Sequence, residues 1–270
     1  MRFRVIYRER VYASSKSTGI PVLFLCGASY NGSGDEMKRM VIVLLSLLLL
    51  CGCTAHSEPP QQVTAEEKIE SPCYVALTFD DGPSAKYTPP LLDGLKERGV
   101  HATFFLIGSL TEENEELVRR MKAEGHQIGN HSYDHAKLTE MTCATALADI
   151  ARGDEALRQI LGEDDYWVRP PYGFIGEEIC CAVSTPLISW SVDTLDWKTK
   201  NVGKILDIVY RDYADGAIIL MHDQYSSTVE AALQAIDHLQ AQGVKFVTVR
   251  ELFACKGVVP ACGKLYRMAK

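Results

Sequence analysis

The sequence lacks a surplus of positive charge, an apolar run long enough to cross a bilayer, an internal repeat, and the cysteine density of a disulfide-built fold. Its 28 Lys and Arg stand against 35 Asp and Glu, a formal charge of −7. A nucleic-acid backbone as the main partner needs a basic surface, so that class is excluded. The longest apolar run, Val41 to Leu50 with only Ser46 inside it, is ten residues. A membrane-spanning helix needs ~20. Nine cysteines in 270 residues are too few to replace a hydrophobic core. Charge is not high enough, nor apolar content low enough, for a disordered chain, at 23% and 47%. What remains is enough chain for one large domain or two small ones, with a sizeable core.

The first fifth is a different kind of sequence. Lys38 and Arg39 precede the apolar run, and Leu50-Cys51-Gly52-Cys53 follows it. Basic residues, a short apolar stretch and a small-residue end make an export signal. The ending resembles the bacterial lipoprotein signal, which implies cleavage before Cys53 and a diacylglycerol thioether on that cysteine. An ordinary signal peptide or a short buried helix are the alternatives. Residues 1–36 have no periodicity and precede the signal, so we expect a non-native or unstructured extension, with translation starting at Met37 or Met40. Residues 37–52 are then the signal peptide, 53–72 the lipidated cysteine and a polar, proline-containing tether, and 73–270 the folded domain. A flexible tether of this length has a mean reach on the order of 25 Å. Without the leader, 21 basic residues face 32 acidic ones, a charge of −11. Six cysteines stay in the folded part, an even number that permits disulfides in an exported protein. Cys255 with Cys262 is the easiest pair to close.

Residues 73–270 alternate strand-like and helix-like segments. Apolar runs predict strands at Tyr74–Phe79, Ala102–Ile107, Trp167–Val168, Pro186–Trp190, Gly216–Met221 and Lys245–Val249. Helical spacing follows Thr88-Pro89-Pro90 and covers Thr111–Glu124, Thr139–Leu161, Val202–Tyr213 and Thr228–Gln242. This alternation predicts an α/β fold with a mainly parallel sheet, open or closed into a barrel.

Chemistry-bearing residues cluster at the ends of predicted strands, where active sites assemble in such folds. In Thr78-Phe79-Asp80-Asp81-Gly82-Pro83, two adjacent carboxylates repel unless a cation or a proton sits between them. A helix cap or a solvated turn is the alternative. In His131-Ser132-Tyr133-Asp134-His135, imidazoles at i and i+4 converge on one ion if the segment is helical. With the Asp pair they make a His₂-carboxylate site, the pattern of a catalytic metal with an open position. His222 ends the apolar run Ile218–Met221, as a core histidine or as a proton donor. Arg169-Pro170-Pro171-Tyr172-Gly173 is a rigid turn with a fixed cation. Asp193-Thr194-Leu195-Asp196-Trp197 offers two carboxylates and an aromatic wall.

In this order, the five clusters resemble the polysaccharide deacetylases, the NodB-homology domains of carbohydrate esterase family 4, from about Cys73 to Val249. The resemblance implies a distorted (β/α) barrel, often of seven strands, for the domain 73–270. It implies one divalent metal ion, zinc first, with cobalt, nickel or manganese as alternatives, and removal of acetyl groups from glycans. It implies Asp80 as catalytic base, Asp81, His131 and His135 as metal ligands, and Arg169 as the residue that orients and charges the base. The Tyr172 backbone N–H is matched to oxyanion binding and His222 to proton donation. Asp193, in preference to Asp196, is matched to the acid that tunes His222. Trp197, Leu220 and Pro171 are the substrate-contacting positions, Leu220 facing the acetyl methyl. Tyr225, just after the third cluster, is expected to line the sugar cleft. His56, His101, His126 and His238 are read as packing or surface residues.

The C-terminal segment Phe246–Phe253 resembles surface-anchored bacterial members that act on cell-wall glycan. N-Acetylglucosamine in peptidoglycan is therefore the first substrate, ahead of chitooligosaccharide or exopolysaccharide and of acetylxylan-type O-deacetylation. A catalytically silent glycan-binding lipoprotein is the competing class, and the intact set of acids and histidines argues against it. The expected partners are an acetylated glycan and, through the lipid anchor, the outer side of the cell membrane. No nucleic acid and no obligate protein partner is expected.

Overall fold

The computed structural model describes residues 72–270, so the extension, the signal, Cys53 and nearly all of the tether lie outside the described residues. The strand Tyr74–Gly82 organises everything else, because its sequence changes face with every residue. Val75, Leu77 and Phe79 point outward into a helix-covered core, while Ala76 packs in a second cluster inside the barrel. Thr78 and Asp80 follow Ala76 at the same parity, which puts two polar side chains in the lumen.

In chain order the elements are β1 (Tyr74–Gly82), α1 (Thr88–Glu97), β2 (Thr103–Leu106), α2 (Glu115–Ala123), β3 (Gln127–Asn130), α3 (Cys143–Leu161), α4 (Glu177–Ala182), β4 (Leu187–Ile188), β5 (Val192–Asp193), α5 (Asp196–Thr199), α6 (Val202–Asp212), β6 (Ile218–His222), α7 (Ser226–Ala241), β7 (Lys245–Phe246), α8 (Val249–Cys255) and β8 (Leu265–Tyr266). The strands run β3-β2-β1-β6-β5, all parallel, and β7 joins the start of β1. Val168 bridges Asn130 to Leu187, carrying the wall on from β3 to β4. Strand β4 pairs with β8, and the segment after β8 returns to Ala217 through Met268. This is a distorted α/β barrel whose gap is closed by the C-terminal segment. Parallel register puts Asp80 beside His222, and both side chains reach the same end of the barrel.

Leu91, Leu95, Val118, Met121, Ile205, Val209, Ile236 and Leu239 of the outer helices pack on the outward face of the sheet. Each such side chain, fully buried, contributes about 1.5–3 kcal/mol. The other end of the barrel is plugged by Val249, Leu252 and Phe253 against Trp167. Among the described residues no helix is long and apolar enough to cross a membrane. Cys73, Cys143, Cys180, Cys181, Cys255 and Cys262 are all free thiols, so the Cys255–Cys262 pairing is not found.

Several sequence expectations need correction. The strand predicted through Val249 stops at Phe246, because Thr248 and Glu251 form a reciprocal capping box that starts α8. The helix predicted from Thr111 begins at Glu115. The Thr111 hydroxyl donates to Gly108 C=O instead of capping, and a 3₁₀ turn intervenes. Trp167–Val168 contributes one bridging residue, not a strand.

Candidate active site

Neighbouring residues in a regular strand point to opposite faces, so Asp80 and Asp81 should not meet. The β1 register shifts between Asp80 and Gly82, and Asp81 takes φ 67°, a left-handed value. This bulge turns Asp81 back toward the barrel mouth, where Asp80 already is. Left-handed backbone at a non-glycine residue costs about 1–2 kcal/mol. Asp80 is buried, and its Oδ1 accepts from Arg169 Nη1 at 2.6 Å. Arg169 is wholly buried and also donates to Thr78 Oγ1 at 2.7 Å and to Ser189 C=O at 2.9 Å. Its guanidinium lies 4.1 Å from the Phe105 ring centroid. Burial lowers the Arg169 pKa, while the Asp80 charge opposes that shift. A buried ion pair is tolerated when hydrogen bonds satisfy both partners, as they do here.

His131 follows β3. Its Nδ1 lies 2.7 Å from the Arg169 carbonyl, which can only accept, so Nδ1 carries the proton and Nε2 presents a lone pair. That Nε2 is 3.3 Å from Asp81 Oδ1, and His135 Nε2 is 3.1 Å from the same oxygen. The segment is not helical, contrary to the i, i+4 expectation. Left-handed kinks at Ser132 (φ 62°) and His135 (φ 54°) fold it so that the two rings still converge. Donor atoms of Asp81, His131 and His135 all lie within 4.8 Å of one another. Burial pushes the Asp81 pKa up, but the two imidazoles outweigh it and hold the carboxyl well below the usual range. Asp81 Oδ1 is buried and makes no hydrogen bond. An orphaned carboxylate oxygen facing two imidazole nitrogens is what a divalent cation satisfies, and the mixed N/O donors suit zinc and its first-row neighbours.

His222 forms the opposite wall, with Nε2 4.0 Å from Asp81 Oδ2. Its partner is Asp196 and not Asp193, which corrects the sequence assignment. His222 Nδ1 lies 2.8 Å from Asp196 Oδ1, and the His222 backbone N–H donates to Asp196 Oδ2 at 2.7 Å. The Thr228 hydroxyl donates to the same Oδ2 at 2.8 Å. The physical reason is the turn between the two acids. Asp193 Oδ1 accepts from Leu195 N–H, closing an Asx turn, and Leu195 at φ 52° sends Asp196 beneath the end of β6. Burial opposes charge on His222, but Asp196, with Asp80 and Asp81 beyond it, raises its pKa to about 9.

These groups open into one cleft of about 470 Å³. Its wall includes Leu220 and Trp197, as expected, together with Tyr172, Asp193 and Tyr225. Pro171 is buried within the turn Pro171–Gly173 and does not line the cleft. Phe174 and Trp190 line it and were not foreseen. Tyr172 takes φ 60°, and a side chain on Gly173 would come within 2.5 Å of Trp190. The Tyr172 ring stands 4.8 Å from that of His135. Tyr172, Phe174 and Trp197 are each about half exposed at the rim. Sequence reasoning also missed Thr228, for which no motif signal exists, and Asp196 as the His222 partner. Away from the mouth, His126 is buried in packing, accepts from Ala102 N–H at Nδ1, and has its pKa lowered to about 4 by burial.

The profile of a polysaccharide deacetylase family matches residues 68–185. The chain is similar to the peptidoglycan-N-acetylglucosamine deacetylase PgdA of Listeria monocytogenes, 42% identical over 67% of this chain and 39% of the relative. It spans well under half of that protein's length. A peptidoglycan-N-acetylglucosamine deacetylase of Bacillus cereus is 36% identical over 74% of this chain and 96% of its own. Among solved structures, a T48 deacetylase determined with substrate superposes with a TM-score of 0.69 at 40% identity, covering 72% of this chain and 96% of that one.

Proposed function

The chain belongs to the polysaccharide deacetylase family, and we propose that it is a metal-dependent hydrolase removing N-acetyl groups from N-acetylglucosamine residues of a cell-wall glycan, peptidoglycan first. One observation carries the reading. The unpartnered Asp81 oxygen and two imidazoles sit between an ion-paired carboxylate, Asp80–Arg169, and a charged imidazole, His222–Asp196, in a single cleft. The identities of the Listeria and Bacillus relatives support the substrate.

Asp81, His131 and His135 would hold the cation, zinc in this reading, which would supply Lewis-acid activation of the carbonyl and of water. Asp80 takes the proton of the attacking water, and its hydrogen bond from Arg169 aims it. The Tyr172 N–H, presented by a left-handed turn, donates to the developing oxyanion. Removing one such donor typically costs about 2.7–4 kcal/mol. His222, cationic through Asp196, gives a proton to the departing amine from Nε2. Leu220 and Trp197 wall the acetyl methyl and keep water from its back.

In the same reading the domain acts outside the cell membrane, tethered through a lipid on Cys53. Support comes from the run Leu50-Cys51-Gly52-Cys53 and the polar stretch after it. The intact mass of the mature protein tests the start site and the lipid together.

Acetate release from peptidoglycan, with and without chelator, tests the activity. Asp80→Asn and Asp81→Asn should both abolish release, and only the second should lower metal content. Near-full turnover by Asp80→Asn would remove the base assignment.

A further inference from the structure

Lys200 stands at the C-terminal end of α5 with φ 46° and ψ 38°, in the left-handed region. Glycine is the usual residue at such a helix end, because a Cβ there is strained. A lysine held in this conformation directs attention to its side chain. Its Nζ lies 4.5 Å from the Tyr225 ring centroid, and Tyr225 lines the cleft. Among the described residues Lys200 makes no ion pair, unlike Lys96, Lys122, Lys137 and Lys256 but like most of the other lysines, so its charge is free to meet a ligand. The Lys200 N–H donates to Asp196 C=O at 2.9 Å, so its backbone is tied to the residue that holds His222.

The nearby cleft has Asp80, Asp81 and Asp193 in its wall, the first two offset by Arg169, by His222 and, in the deacetylase reading, by the cation. An anionic substituent on the glycan held beside Asp193 would be repelled, and without its leader the chain adds repulsion through a charge of −11. An exposed ammonium without an ion-pair partner, held against Tyr225, favours an anion locally, within the roughly 8–10 Å that salt leaves unscreened.

We infer that Lys200, seated on the Tyr225 ring, is a specificity residue that recognises a carboxylate carried beside the sugar to be deacetylated. The inference rests on the deacetylase reading and sharpens it. It separates a glycan bearing lactyl or peptide carboxylates from neutral chitooligosaccharides and xylans.

The test compares glycan strands stripped of stem peptides, whose lactyl groups end in free carboxylates, with the same strands amidated at those groups. Lys200→Met keeps an apolar stem over Tyr225 and removes the charge. It should lower the ratio of kcat/KM for carboxylated over amidated strands roughly two- to fivefold, through KM, as expected for a solvent-accessible ion pair. Lys200→Arg should keep the ratio. Raising salt should erode the wild-type preference and leave that of Lys200→Met unchanged. Titration of Trp197 fluorescence reads the same ratio as relative affinity, without turnover. An unchanged ratio in Lys200→Met, by rate or by affinity, overturns the assignment. An affinity ratio that falls while no form of the enzyme releases acetate would instead overturn the deacetylase reading and leave Lys200 in place.

Discussion

Replacing Asp196 by Asn should move the alkaline limit of activity, and replacing Asp193 should not. His222 has a pKa raised to about 9 against an ordinary 6.5, with burial opposing the shift and Asp196 as the largest favourable influence. The bond from His222 Nδ1 to Asp196 Oδ1 is charge-assisted, at 2.8 Å. Such a bond contributes about 1.5–3 kcal/mol. At 1.36 kcal/mol per unit, its loss lowers the His222 pKa by about 1–2 units. At pH 8.5 the fraction of protonated His222 then falls roughly tenfold, and the deficit shrinks toward pH 6 where both forms are protonated. The assay is kcat/KM for acetate release from pH 6 to 10, for wild type, Asp196→Asn and Asp193→Asn. Asn is isosteric with Asp, so a purely positional defect would lower rates equally at every pH. A wild-type to Asp196→Asn ratio independent of pH would refute the reasoning. So would a shifted limb in Asp193→Asn, whose carboxylate is engaged with Leu195 N–H instead.

Two further predictions concern stability. Asp223 is wholly buried, and burial raises its pKa to about 7 from an ordinary 3.8, with Asp81 adding to the shift. The folded state therefore holds a proton that the unfolded state releases. Its contribution is complete below about pH 3.8 and is lost as pH rises toward 7. Asp223→Asn should thus gain melting temperature relative to wild type between pH 4 and 7 and level off above, and a difference flat with pH would contradict this. Gly173→Ala places a Cβ 2.5 Å from the Trp190 ring at a φ of 74°. It should destabilise by about 1–3 kcal/mol and depress deacetylation through the displaced Tyr172 turn. Thermal melts and acetate assays on the variant check both.

What the sequence disclosed and what it concealed follow from the range of each interaction. Apolar runs are local, so Tyr74–Phe79 and Gly216–Met221 announced buried strands, and Asp80 and His222 could be placed at their ends. Donor identity is also local, and the Asp81, His131 and His135 set was legible by residue type. The partner of His222 was not. Asp193 and Asp196 differ only in which way the chain turns at Leu195, and nothing in Asp-Thr-Leu-Asp-Trp encodes that left-handed step. Arg169 was visible as a fixed cation, but its stacking on Phe105 and its bonds to Thr78 and Ser189 join residues up to 91 positions apart. The run Lys245–Val249 was read as strand through its last residue because β-branched residues outweighed the Thr248–Glu251 capping signal.

The six non-glycine residues with positive φ among those described are Asp81, Ser132, His135, Tyr172, Leu195 and Lys200. Asp81 lies at the bulged end of β1, and the other five lie in the connections between elements. At about 1–2 kcal/mol each, their combined strain is comparable with the net stability of a typical domain, about 5–15 kcal/mol. Strain on that scale persists only where surrounding structure over-determines it. Here the restraints can be named. Arg169 locks Asp80 from inside the barrel, its carbonyl fixes His131, and Asp196 ties His222 to the α5 turn. The kinks are what allow two adjacent acids to face one cleft and two histidines to converge without a helix. A regular βα connection at any of these loops would be more stable and would disperse the donors. The barrel supplies rigidity at its packed end, and its mouth carries the strain that brings acid, base and cation ligands within a few ångströms of one another.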